Sequence, residues 1–267
     1  MTRVAESPAR RQVRVALRDL ALNIKSLAVD EFDLQQLENL SINVDSMVLD
    51  QMSSEKPIYF APYSDHSFPE PNDDDLHGSY NGVDDETDPA FSRPYDRAYV
   101  MDMHFDSYIS YYNLKAKREG YRSPWVPKCI GDSAFGNIGL YRDEQPEFGC
   151  FSIAEPKDPV CPHVKAIIYN NMVATDSTIL FGELMPILRI MLKQYWRAKY
   201  IHSMVSPVLV FSLMGLQARV IEAFFQGQEL IIRPTKLYDF SHGNPSAFKT
   251  FTQWYMGRPI GDTTKAS

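Results

Sequence analysis

A chain of 267 residues, 44% apolar and 12% aromatic, suits one large domain or one domain with extensions and is too apolar to be disordered throughout. Its formal charge of −7 is unevenly spread: residues 64–92 hold nine acids and no Lys or Arg, and outside them 27 basic residues face 25 acidic ones. No apolar run reaches membrane-spanning length, and three cysteines (Cys129, Cys150, Cys161) without a CxxC pair do not suggest a secreted disulfide framework. These features predict a protein of a reducing compartment, cytoplasmic or nuclear, with no membrane association. The mild basic excess outside the acidic stretch neither demands nor excludes nucleic acid.

Residues 9–28 have Val13, Leu17, Leu20, Ala21 and Ile24 at near-helical spacing, and a second short helix is expected around 32–40. Arg3, Arg10, Arg11, Arg14 and Arg18 crowd the first of these. It lacks the apolar core of a signal peptide, and Glu6 and Asp19 speak against a mitochondrial presequence, so a solvated basic face accounts for the arginines. From 56 to 93 the chain is rich in Pro, Asp, Ser, Gly and Asn and reads as an irregular linker. Its acidic part, 64–92, is a candidate surface for a protein partner.

Phe105, Tyr108, Ile109 and Tyr112 place a helix over 99–117. Pro124 and Pro127 hold 122–130 extended. A β-hairpin follows, running in over 137–142, turning over 143–147 and running out over 148–154. Equal distances from its turn bring Asp132 close to Lys157. Glu155 and Lys157, two apart on a strand, would share a face.

Residues 158–173 read as a link to the strongest helical pattern in the chain. It is capped at Asp176, carries Leu180, Leu184, Ile187, Leu188, Met191 and Tyr195, and contains Pro186, expected to kink or restart it. Lys193, Arg197 and Lys199 close this helix. They suit its dipole and are the candidate contacts to nucleic-acid phosphates. Glu183 fits a helix-face glutamate reaching a Lys or Arg better than a general base. The apolar run 207–214 predicts a buried strand, 219–225 and 229–232 a second hairpin, and Asn244-Pro245 the start of a last helix ending at Gly257. The expected organisation is a helical extension (1–55), an acidic linker (56–93), an α/β domain (94–257) and a tail (258–267). No paired histidine spacing, GxSxG or Gly-rich phosphate loop occurs, and Cys161-Pro-His163 fits no compact zinc site.

Asp132, followed 23 residues later by Glu155-Pro-Lys157, resembles the signature of the PD-(D/E)XK nuclease superfamily. That superfamily's core runs α-β-β-β-α-β, with an Asp on the second strand and acid-x-Lys on the third. The resemblance covers about residues 99–214. It implies an α/β fold with a mixed central sheet flanked by helices, extended here by a C-terminal hairpin and helix. It also implies phosphodiester hydrolysis of nucleic acid, with Mg²⁺, or Mn²⁺ in its place, held by Asp132 and Glu155 and with Lys157 stabilising charge. Gly131 in place of proline and Pro156 inside the motif depart from the pattern, and the first-helix acid has only Asp102 or Asp106 as counterparts. The alternative is a non-catalytic interaction or regulatory protein that keeps this fold.

Overall fold

The computed structural model describes residues 5–63, 71–72, 75–76, 93–131 and 135–265. In chain order its elements are α1 (Pro8–Leu27), β1 (Glu31–Asp33), α2 (Leu34–Asn39), β2 (Ile42–Val44), β3 (Phe60–Ala61), α3 (Pro94–Arg118), β4 (Trp125–Lys128), β5 (Tyr141–Arg142) and β6 (Phe148–Pro156). Then come β7 (Val164–Asn170), β8 (Thr178–Leu180), α4 (Phe181–Trp196), β9 (Val208–Met214), β10 (Gln217–Gln226), β11 (Glu229–Pro234), β12 (Tyr238–Asp239), α5 (Pro245–Met256) and β13 (Arg258–Pro259). The main sheet runs β2-β11-β10-β9-β7-β6-β4, with β5 beside β6 and β12 beside β10. It is mixed: β7/β9 and β11/β2 are parallel, the other pairs antiparallel. The predicted α/β class with a mixed, helix-flanked sheet is what the chain adopts.

Alternation along the central strands builds two cores. Val208 and Val210 of β9 join the layer under α1 and α4, while Leu209, Phe211 and Leu213 face α3 and α5. Being covered on both faces explains why β9 is apolar at nearly every position. The aromatic spacing of α3 is core: Phe105 and Tyr108 lie against Phe248 of α5, with ring centroids 6.5 and 5.3 Å apart. A parallel β7/β9 pair needs a crossover, and α4 provides it.

Several local expectations change. The link 158–173 contains β7, a fully buried central strand whose single lysine, Lys165, masks an otherwise apolar run. Asp176 does not cap α4; its Oδ1 accepts from the Leu237 N–H, and Glu183 instead accepts from the Leu180 N–H at 2.9 Å. The helix runs on through Pro186 without restarting. The α5 start is as expected, with the Ala247 N–H donating to Asn244 Oδ1. The span 1–55 supplies Leu17, Ile24, Phe32 and Ile42 to the core and adds β2 to the sheet.

Two buried ion pairs lock this arrangement. Glu183 of α4 and Arg219 of β10 are both fully buried; Arg219 Nε donates to Glu183 Oε1 at 2.9 Å, and its other nitrogens reach the Thr175 and Thr178 carbonyls. On the opposite face Glu222 accepts from the Ile58 and Tyr59 N–H groups and from Arg233, pinning the chain that leads into β3. Removing one member of such a pair leaves a buried charge unanswered. Glu183→Ala is therefore expected to destabilise by about 3–5 kcal/mol, measured by urea unfolding. The double change Glu183→Met with Arg219→Met should recover most of that loss.

Candidate functional site

Glu155 sits at the end of β6, opposite Val126 of β4, and points to the α1/α4 side of the sheet. Its side chain is 1% exposed. Arg197 donates to both of its oxygens, through Nη1 to Oε1 and through Nη2 to Oε2 at 3.2 Å. Gln194 Nε2 adds a bond to Oε1 at 3.2 Å, and the Lys199 ammonium lies 3.8 Å from Oε2. The local backbone explains this clasp. Helix α4 ends at Trp196, and Arg197 takes an extended conformation (φ −88°, ψ 122°), while its Nη1 also reaches Gln194 Oε1. Two-pronged pairing with carboxylate suits the planar guanidinium and commits both oxygens of Glu155.

Lys157 does not join this cluster. It lies one residue beyond the strand, where its N–H donates to the Pro124 carbonyl at 2.7 Å, and its side chain is exposed. Asp132 lies outside the described residues. The hairpin expected to bring Asp132 opposite Lys157 is short: β5 pairs with β6 only at Tyr141↔Gly149 and Arg142↔Phe148. From Ile153 to Pro156 the neighbour of β6 is β4.

In chain order α3 is followed by β4, β5 and β6, and Glu155-Pro-Lys157 lies at the end of β6. The next strand, β7, is entered through His163-Val164-Lys165. His163 Nε2 donates to the Ile260 carbonyl at 2.9 Å, leaving Nδ1 to accept the Cys161 thiol at 2.9 Å. Burial pushes the His163 imidazole down to about 4 and the Cys161 thiol up to about 11, so both groups are neutral.

Of the three basic candidates, Lys193 is half-buried and Arg197 is taken by Glu155. Lys199 lies over the Tyr200 ring at 4.4 Å. Burial, with the like charges of Arg197 and Lys128, pushes its ammonium down to about 8.

The α3/α5 face holds a second polar cluster that periodicity could not reveal. Lys165 is 2% exposed; its ammonium donates to the Tyr255 carbonyl and lies 4.3 Å from the Trp125 ring centroid and 3.9 Å from that of Tyr255. Burial pushes it well below its ordinary value, while the carbonyl and the two ring faces act in the opposite sense. Asp102 of α3 is buried, and its Oδ1 has no hydrogen-bond partner among the described residues. Burial, then the charge of Asp106, pushes its carboxyl up to about 7.

Among the described residues no group of three or more His, Cys, Asp or Glu side chains is placed to hold a metal ion, and no helix is long and apolar enough to cross a membrane. Comparison with family models, with curated proteins and with solved structures gives no match to this chain.

The raised Asp102 carboxyl has a definite pH signature. The folded state keeps this proton up to about pH 7, whereas an unfolded Asp loses it near 3.9. Stability from this group therefore falls as pH rises through that window, and the full penalty stands above it. Asp102→Asn is expected to stabilise the fold by on the order of 2–4 kcal/mol at pH 8 and to change little at pH 4. Urea midpoints for both proteins at the two pH values measure the difference.

Proposed function

We propose that this chain is a non-catalytic interaction protein built on a nuclease-like αβββαβ sheet. The observation that carries this reading is the Glu155–Arg197 pair, in which a guanidinium takes both oxygens of the signature acid. Magnesium-assisted hydrolysis needs carboxylate oxygens free to bind a hard cation. Here the chain's own arginine supplies the positive charge. The next strand, β7, offers no second acid-x-Lys: His163 stands two residues before Lys165, and Lys165 is sealed beneath Trp125 and Tyr255. Lys157, the signature lysine read from the sequence, is solvent-exposed, whereas Glu155 is buried.

On this reading a protein partner meets the acidic stretch 64–92, Lys193, Arg197 and Lys199 belong to a basic surface, and the setting is cytoplasmic or nuclear. The competing reading is a nuclease dependent on Mg²⁺ or Mn²⁺ that works through Asp132, Glu155 and Lys157. It requires Arg197 to leave Glu155 and Asp132 to reach it.

The two readings separate in one assay. Single- and double-stranded DNA and RNA are incubated with the full chain and either metal, beside Asp132→Asn, Glu155→Gln and Lys157→Ala. The expected outcome is no cleavage above the protein-free control by any of the four proteins. Metal-dependent cleavage by the wild type that disappears in Asp132→Asn and Glu155→Gln would overturn the proposal. Glu155→Ala should cost about 3 kcal/mol of stability, because Arg197 is left facing the interior without its partner.

A further inference from the structure

A cavity of about 440 Å³ opens where the segment leading into β3 meets the end of α5. Its backbone is fixed from several sides. β3 and β13 pair at Ala61↔Arg258 and Phe60↔Pro259, the Tyr63 N–H donates to the Gln253 carbonyl at 2.8 Å, and the Ile260 N–H donates to the Tyr59 carbonyl at 2.9 Å. The Tyr121 hydroxyl donates to the Met256 carbonyl. At Gly257 the two segments run so close that a Cβ would lie 1.9 Å from the Ala61 carbonyl oxygen, an approach only glycine permits. The hollow is therefore pre-formed, and its size falls within the usual range for small-molecule sites, about 300–1,000 Å³.

The lining has two parts. Phe60, Tyr63, Tyr121 and Met256 give an apolar, largely aromatic wall, with the Tyr63 and Tyr121 rings edge to face at 4.6 Å. Lys56 and Arg258 give the charge, and no Asp or Glu among the described residues lines the cavity. The Lys56 ammonium donates to the Gln51 carbonyl at 2.7 Å and has no ion-pair partner among the described residues. The exposed Arg258 side chain has neither an ion pair nor a hydrogen bond among them.

Two unopposed cations beside an apolar hollow, in a chain of formal charge −7, select among ligands. An apolar body would displace water from the aromatic wall. A carboxylate at its end would answer the cations, since a guanidinium pairs with it two-pronged and an ammonium adds a point charge. An inorganic oxyanion would leave the wall wet, and an apolar amine would meet like charge. A strongly acidic peptide would bring more charges than the two available cations answer.

We infer that this cavity binds a small apolar carboxylate, its hydrocarbon or aryl body against Phe60, Tyr63, Tyr121 and Met256 and its carboxylate met by Arg258 and Lys56. None of these six side chains takes part in the Glu155–Arg197 pair, so the inference is independent of whether the chain cleaves nucleic acid.

The test titrates octanoate and phenylbutyrate into the full chain by calorimetry near neutral pH, below their micelle concentrations. Acetate, octanol, octylammonium and a poly-aspartate peptide run beside them. One octanoate or phenylbutyrate per chain is expected, with octanol and octylammonium weaker by about tenfold or more and acetate giving no measurable heat. Arg258→Ala should weaken octanoate binding about tenfold or more, and Arg258→Lys should recover part of it. Tyr63→Ala should weaken the acid and the alcohol alike. Because Arg258 is exposed, the melting curves of its variants are expected to match wild type, and lost binding then reports the lost contact. Octanol binding as tightly as octanoate, octanoate binding indifferent to Arg258→Ala, or no binding of either acid overturns the inference. Preference for poly-aspartate over both acids also overturns it and assigns the cavity to an acidic protein segment.

Discussion

The Glu183–Arg219 pair anchors the placement of α4, and much of the chemistry at the other end of that helix follows from it. Two fully buried charges are costly to remove from water unless their remaining hydrogen-bonding capacity is met. Here it is met: Arg219 reaches the Thr175 and Thr178 carbonyls, and Glu183 also takes the Leu180 N–H. The start of α4 is thereby tied both to β10 and to the loop and strand that precede it. The helix then runs sixteen residues, about 24 Å, to a second set of ionic ties. There Arg10 takes the Tyr195 carbonyl and Arg197 takes Glu155. A helix fixed at both ends holds Trp196 and the neighbouring cations in a constant relation to the sheet.

Three arginine–glutamate pairs recur at the margins of the two cores: Glu183–Arg219, Glu222–Arg233 and Glu155–Arg197. Glu183–Arg219 and Glu155–Arg197 join segments distant in the chain and so specify tertiary register, whereas Glu222 and Arg233 face each other across the β10–β11 hairpin. Asp102 and Lys165 stand apart from this scheme. One is a buried carboxyl with an oxygen that has no hydrogen-bond partner among the described residues, the other an ammonium held by a carbonyl and two rings. Both lie on the α3/α5 side, away from Glu155. The acid at the end of β6 and the lysine of β7 therefore belong to different faces of one sheet.

Much of the fold was legible because it rests on local periodicity and punctuation. The helical spacing of α1 and α3, the apolar run of β9, the hairpin β10–β11 and the Asn244-Pro245 start of α5 all have local causes. Strand β7 escaped because Lys165 interrupts its apolar run, and a fully buried lysine is tolerated only through the rings and carbonyl that distant segments bring to it. The reading therefore lacks a strand between the Glu155-Pro-Lys157 end of β6 and helix α4.

The sequence singles out Glu155 but not the residue that meets it. Nothing local tells Glu155 that Arg197, 42 residues later, will close on it. Residue order and polarity were enough to set the class of fold and the identity of most core faces, because backbone geometry converts spacing directly into sidedness. Which charges meet, which lysine is sealed and which tryptophan stays open depend on contacts between remote segments, and no short-range pattern encodes those.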